Sequence, residues 1–185
     1  MRHNTQNRMF DPRRVFSPHF RLHEFTKSAT ASKYQLHNAP REECELANLR
    51  ALATEVLEPA RAMLGVPLVI ASGYRCATLN RLVGGAPQSQ HMLGEAADFI
   101  PKNLDIEEAA GLLVAQPALP FDQLIYEVRE RENAAPLRWI HISHRRFGKG
   151  RREVLSILRT AAGQQVLPGV QGSASFSAQR APENA

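Results

Sequence analysis

The segment SGYRCATLNRLVGGAPQSQHMLGEAADF, residues 72–99, holds a histidine and an aspartate seven positions apart. On one continuous strand, His91 and Asp98 would point to opposite faces. We predict instead that His91 lies in a loop and Asp98 in the strand that follows, with Gly94 allowing the chain to bend between them. Both side chains can then reach one point, as two of the three protein ligands that a catalytic zinc site needs.

His141 is the best candidate for a third ligand. Alternation along LRWIHIS puts Trp139, His141 and Ser143 on one face of a strand, and Ile140 and Ile142 on the other, which we expect to be the core face. His141 would then face a cleft. Spacing alone leaves open a loop histidine, a capping carboxylate and an ordinary strand histidine.

The elements that would position these side chains can be predicted from the hydrophobic pattern. Helical spacing predicts a helix over 41–65, kinked at Pro59. The remaining predictions are strands at 66–74, 96–100, 121–128 and 137–143, and helices at 76–85, 103–116 and 150–163. The polar stretch 129–136 would join the last two strands as a hairpin. This order indicates a single α+β domain whose mainly antiparallel sheet is flanked by helices.

The overall composition and charge of the chain indicate which kinds of partner it can bind and where its folded domain begins and ends. The chain has 185 residues, a net charge of +5 and a pI of about 9.7, which favours an anionic partner. We expect no nucleic-acid binding, because no reading motif is present. No apolar run is long enough to span a membrane, and we see no secretory signal. We expect a flexible basic arm at 1–17, a folded domain at 18–160 and a disordered tail at 161–185.

Residues 72–99, followed by FDQLIYE and WIHIS, resemble the zinc D-alanyl-D-alanine carboxypeptidase family, which includes peptidoglycan peptidases and phage endolysins. The resemblance covers roughly residues 20–143, includes FRLHEFTKSATA and LEPAR, and is strongest for the short branch found in phages and prophages. It implies a hedgehog/DD-peptidase-like fold and one Zn²⁺ ion. It also implies that His91, Asp98 and His141 are the zinc ligands.

The same resemblance assigns Arg75, in SGYR, to the substrate or to the oxyanion that develops during hydrolysis. A guanidinium is a fixed donor suited to either, although a structural ion pair is the alternative. Gln123, Ser89 and Tyr74 are further candidate substrate-binding residues. Ser89 could instead shape the His91 loop or support a ligand, and Tyr74 could pack in the core.

The general base cannot be carried over from the resemblance. Several members of the family carry an acidic residue three positions before the last histidine ligand, where this chain has Arg138. We expect Glu127, at the end of the strand FDQLIYE, to replace it, provided that the register puts Glu127 on the His141 face. Glu95 and Asp122 are the alternatives.

Two functions of different classes follow. The first is a zinc peptidase acting on peptidoglycan stem peptides as a monomer, either as a D-Ala-D-Ala carboxypeptidase or as a cross-link endopeptidase. The second is an inactive binding or virion structural module that keeps the fold, an alternative favoured by the missing acid at position 138. Without a signal or membrane insertion, we expect synthesis in the cytoplasm and action on the wall after release or from a phage particle.

Overall fold

The computed structural model describes residues 11–172. Within them, six strands form one open sheet: β1 (Leu68–Ser72), β2 (Ala96–Pro101), β3 (Gln123–Arg131), β4 (Ala134–Ser143), β5 (Glu153–Thr160) and β6 (Gly163–Pro168). Their order is β1-β2-β4-β3-β5-β6, and every neighbouring pair is antiparallel except β3–β5. The prediction of an α+β domain with a mainly antiparallel sheet is confirmed.

The helical segments are α1 (Leu22–Thr26), α2 (Ala29–Lys33), α3 (Glu43–Ala51), a π-helical segment (Leu52–Leu57), α4 (Glu58–Leu64), α5 (Ala77–Leu82), a 3₁₀ turn (Gln90–Leu93) and α6 (Ile106–Val114). The helix predicted over 41–65 is thus a run of α3, the π segment and α4. Pro59 has no N–H to donate, and the Glu58 N–H just before it reaches the carbonyl of Ala53, five residues back.

One face of the sheet packs into the core. Ile140 and Ile142 are fully buried, as their alternation predicts, and share one hydrophobic cluster with Leu49, Leu52 and Val56 of the long helical run. The other face carries the candidate chemistry. None of the helices between residues 11 and 172 is both long enough and apolar enough to cross a membrane.

Two predictions at the carboxyl end are wrong. The helix predicted over 150–163 is strand β5, and the tail predicted from residue 161 begins with strand β6. Apolar side chains at 154, 155, 157 and 158 mimic helical spacing, but β5 lies inside the sheet, where both faces of a strand can be apolar.

The predicted amino-terminal arm is also too long. Phe16 and Ser17 are buried, and Val15 forms an isolated bridge with Arg21. The chain is therefore packed on the domain before residue 18. Residues 1–10 of the arm and 173–185 of the tail lie outside the described residues.

Candidate metal centre

His91 reaches the site from the 3₁₀ turn that follows Ser89. Its ring is buried, and Nδ1 lies 2.7 Å from the carbonyl oxygen of Gly73. Because a carbonyl can only accept, Nδ1 carries the proton and Nε2 presents a lone pair to the site. Gly94 ends the turn at φ 70°, and a Cβ there would lie 2.4 Å from the carbonyl of Glu45, so glycine is required.

Asp98 and His141 meet because of strand register. They are paired across β2 and β4, and Ser72 of β1 pairs with Asp98 from the other side. Directly paired residues project from the same face of a sheet. His141 Nδ1 consequently lies 2.9 Å from Asp98 Oδ1 and 3.2 Å from His91 Nε2, which is itself 3.2 Å from Asp98 Oδ1.

These three atoms fit a metal ion. Atoms bound to a tetrahedral zinc at about 2.0–2.1 Å lie about 3.3 Å apart, close to the three separations found here. A proton on His141 Nδ1 cannot bond well to two acceptors at once, whereas one divalent cation would satisfy the lone pair of His91, the Asp98 carboxylate and His141 together. All three side chains are buried. The sequence prediction that they converge is confirmed.

The protonation states of His91 and Asp98 also favour the binding of a cation. Burial lowers the pKa of His91 below its usual value, which keeps the ring neutral and able to act as a ligand. Burial alone would raise the pKa of Asp98, but the adjacent His91 and the hydrogen-bonded His141 lower it well below its usual range. Asp98 is therefore a carboxylate at neutral pH.

Arg75 orients the aspartate. Its Nη2 donates to Asp98 Oδ2 at 2.6 Å and its Nε donates to the hydroxyl of Ser72 at 3.0 Å. Oδ1 of Asp98 remains turned toward the histidines. The ion pair that was the alternative interpretation is therefore present. Arg75 nonetheless also lines the cleft, so contact with a substrate stays a prediction.

The cluster of His91, Asp98 and His141 borders a cleft with two adjoining lobes of about 580 and 600 Å³, and the two histidines line only the second lobe. Arg75, Asp98 and Glu127 line both lobes. Glu127 pairs with Trp139 across β3 and β4, while Ile125, two residues away, pairs with His141. Glu127 is thus on the same face as His141, which is the register that its predicted role requires.

Arg138 cannot fill that role, and its position explains why. It lies an odd number of residues before His141, on the face of β4 that also carries Ile140 and Ile142. The acid expected by resemblance at position 138 would therefore point away from His141 in this register. The two alternative bases already bind other side chains. Asp122 is fully buried and forms ion pairs with Arg151 and Arg145, and the carboxylate of Glu95 accepts a hydrogen bond from the Gln90 amide.

The three further substrate-binding candidates have different positions. Gln123 lines the second lobe, with its amide donating to Glu153 at 2.6 Å. Ser89 lines the same lobe and begins the His91 turn. Tyr74 lines the first lobe, but its hydroxyl donates to Glu45 at 3.3 Å and its ring belongs to the core cluster.

Sequence reasoning missed Arg159, which donates from Nε to Glu127 Oε2 at 3.3 Å. The helix predicted for β5 hid it, although Gly163, directly after the two-alanine turn at 161–162, could have indicated a hairpin. His144 was also missed as a buried residue. It contacts the carbonyl of Pro120 and the carboxylate of Glu55. Its parity, shared with Ile140 and Ile142, could have indicated that it is buried.

A family model described as Peptidase M15 matches residues 18–143. The matched stretch includes the three cluster residues, Arg75 and Glu127. No curated protein matches the chain.

Proposed function

The chain belongs to the Peptidase M15 family, a family of metallopeptidases, and on that premise we propose that it is a zinc-dependent hydrolase of peptide bonds in peptidoglycan stem peptides. The observation that carries the proposal is the convergence of His91 Nε2, Asp98 Oδ1 and His141 Nδ1 at mutual distances of 2.9–3.2 Å in a cleft. When bound there, zinc supplies a Lewis acid that polarises a carbonyl and lowers the pKa of a water to about 7.

Two residues beside the cluster supply the proton transfer and the oxyanion stabilisation that hydrolysis needs. Glu127 accepts the proton of the attacking water and returns it to the leaving amine, since it is the carboxylate that lines both lobes on the His141 face without serving as a ligand. Arg75 donates to the oxyanion as the tetrahedral species forms, from a guanidinium already fixed by Ser72 and Asp98.

The shape of the cleft favours an internal bond over a terminal one. Asp98 lines both lobes and the two histidines line the second, so substrate can extend from the cluster to both sides of the scissile carbonyl. One lobe runs toward Trp139 and Arg129, and the other toward Gln123 and Arg151. A cross-link endopeptidase needs room on both sides, whereas a carboxypeptidase needs room for one residue beyond the bond.

Mass spectrometry of digested peptidoglycan tests this choice. We expect cross-linked dimers to be converted to monomers, with no loss of a terminal D-Ala from uncross-linked pentapeptides. The reverse pattern would identify a carboxypeptidase. The inactive structural module remains the competing function; its support, the absent acid at 138, is weakened because Glu127 faces the cleft.

A further inference from the structure

Two arginines lie side by side at one end of the cleft, beyond Glu127. Arg129 of β3 and Arg159 of β5 are directly paired in the parallel register, two residues along from Glu127 and Ile157. Like charges placed opposite one another on neighbouring strands destabilise a sheet. Such a pair is expected where an anion can be bound between or above the two guanidiniums.

The contacts of the two arginines leave donors for such an anion. Arg159 uses Nε to reach Glu127, and a guanidinium carries four further N–H donors. The guanidinium of Arg129 lies 5.6 Å from the centre of the Trp139 ring, which holds it beside the cleft without neutralising it. Arg129 is exposed, and the side chain of Arg159 is 37% exposed.

The charged side chains that line the first lobe of the cleft also favour an anionic ligand. Its lining includes four cationic side chains (Lys27, Arg75, Arg129 and Arg159) and two carboxylates (Asp98 and Glu127). Asp98 is already paired with Arg75, and Glu127 with Arg159. The positive charges of Lys27 and Arg129 are not compensated by another side chain of this lining, and a bound anion would neutralise them.

We propose that Arg129 and Arg159 form a carboxylate-binding subsite, so that the preferred substrate is a peptide with an acidic group two to four residues from the scissile bond. Arg129 lies four residues along β3 from Ile125, the partner of His141, which is about 13 Å at 3.3 Å per residue. An extended peptide covers that distance in about four residues, and the long arginine side chains shorten it. The substrate class, though not the anion site itself, rests on the proposed function.

A matched pair of probes tests the subsite. The first is a synthetic stem pentapeptide ending in D-Ala-D-Ala, with a γ-linked D-glutamate that has a free carboxyl. The second is its twin in which that carboxyl is a carboxamide of the same shape. Trp139 is the sole tryptophan of the chain and contacts Arg129, so its fluorescence reports binding independently of hydrolysis.

We expect the zinc-loaded protein to bind the acidic peptide about tenfold more tightly than the amide, as for a charge-assisted hydrogen bond at a partly exposed site. Arg129→Gln should remove most of that preference. The control Arg50→Gln removes an equal charge from an exposed position of α3, outside the cleft lining, and should leave the preference intact. Raising the salt to 1 M should reduce the preference of the unmodified protein.

Equal binding of the two peptides, or a preference that survives both Arg129→Gln and 1 M salt, would overturn the subsite. A charge preference in binding that disappears in Arg129→Gln, with neither peptide nor any cross-linked dimer hydrolysed, would support the subsite and contradict the proposed function. The two proposals can therefore fail separately.

Discussion

Asp98 of β2 and His141 of β4 face each other across adjacent strands, with 2.9 Å between Oδ1 and Nδ1. Register fixes two of the three candidate zinc ligands on rigid strands, and only His91 depends on a loop. A site built on strands holds its geometry more precisely than one built on loops alone.

Substituting His91→Ala, Asp98→Asn or His141→Ala should weaken zinc binding by more than about 100-fold, because each removes one of three protein ligands. Competition with a chromophoric chelator measures the affinity. His23→Ala, which removes an exposed histidine of α1, is the control and should bind one equivalent of zinc. Tight one-equivalent binding by all three ligand variants would place the metal elsewhere.

Glu127→Gln should lower kcat by about 100-fold to 10,000-fold while the protein keeps its zinc, since a positioned general base contributes that much. Turnover of cross-linked peptide dimers, with zinc content measured on the same samples, checks this. Glu132→Gln, at the exposed turn of the β3–β4 hairpin, is the matched control. Near-normal turnover in Glu127→Gln would exclude it as the base.

Gly94→Ala should destabilise the fold by more than the roughly 1 kcal/mol expected for a positive φ alone. An added Cβ would meet the Glu45 carbonyl at 2.4 Å, and the backbone there cannot yield without moving α3 or the His91 turn. Gly84→Ala is the control, because Gly84 has a similar φ of 73° with open space around it. Urea unfolding of both variants measures the difference, and equal losses would show that the close approach is unimportant.

Asp122 should make stability fall at low pH. Burial alone would raise its pKa, but Arg151 and Arg145 hold that pKa at about 2, against about 3.9 in an unfolded chain. The contribution is therefore complete above pH 4 and is lost as the pH falls toward 2, by roughly 2–3 kcal/mol. Asp122→Asn should flatten the decline of the unfolding free energy between pH 4 and pH 2.

Asp105→Asn is the control for that measurement, because Asn caps a helix about as well as Asp and the capping of α6 is preserved. Its unfolding free energy should follow the unmodified protein over the same pH range. If Asp122→Asn shows the full decline, other carboxylates carry the acid sensitivity.

The choice of the three candidate ligands came from the family resemblance, because spacing alone left other interpretations open, whereas local patterns predicted how the three side chains could meet. Alternation in LRWIHIS placed His141 opposite Ile140 and Ile142, and Gly94 marked the bend between His91 and Asp98. The position of Glu127 could not be fixed, since its face depends on the β3–β4 register. That register is set by a tight turn at 132–133 and an irregularity between Arg129 and Arg131.

The carboxyl-terminal part of the cleft could not be predicted for a different reason. Val154, Leu155, Ile157 and Leu158 have the spacing of a helix face, and only the pairing of β5 with β3 and β6 makes them a strand. Arg159 and its contact with Glu127 depend on that long-range pairing. Sequence patterns report local periodicity and carry no record of which strands will meet.

Metal-dependent digestion of peptidoglycan tests the central claim most directly. Protein stripped of metal with a chelator should release no new peptides, and activity should rise linearly with added zinc up to one equivalent per chain. His141→Ala should stay inactive at that zinc concentration. Full activity in the stripped protein, or in His141→Ala, would contradict a catalytic zinc held by His91, Asp98 and His141.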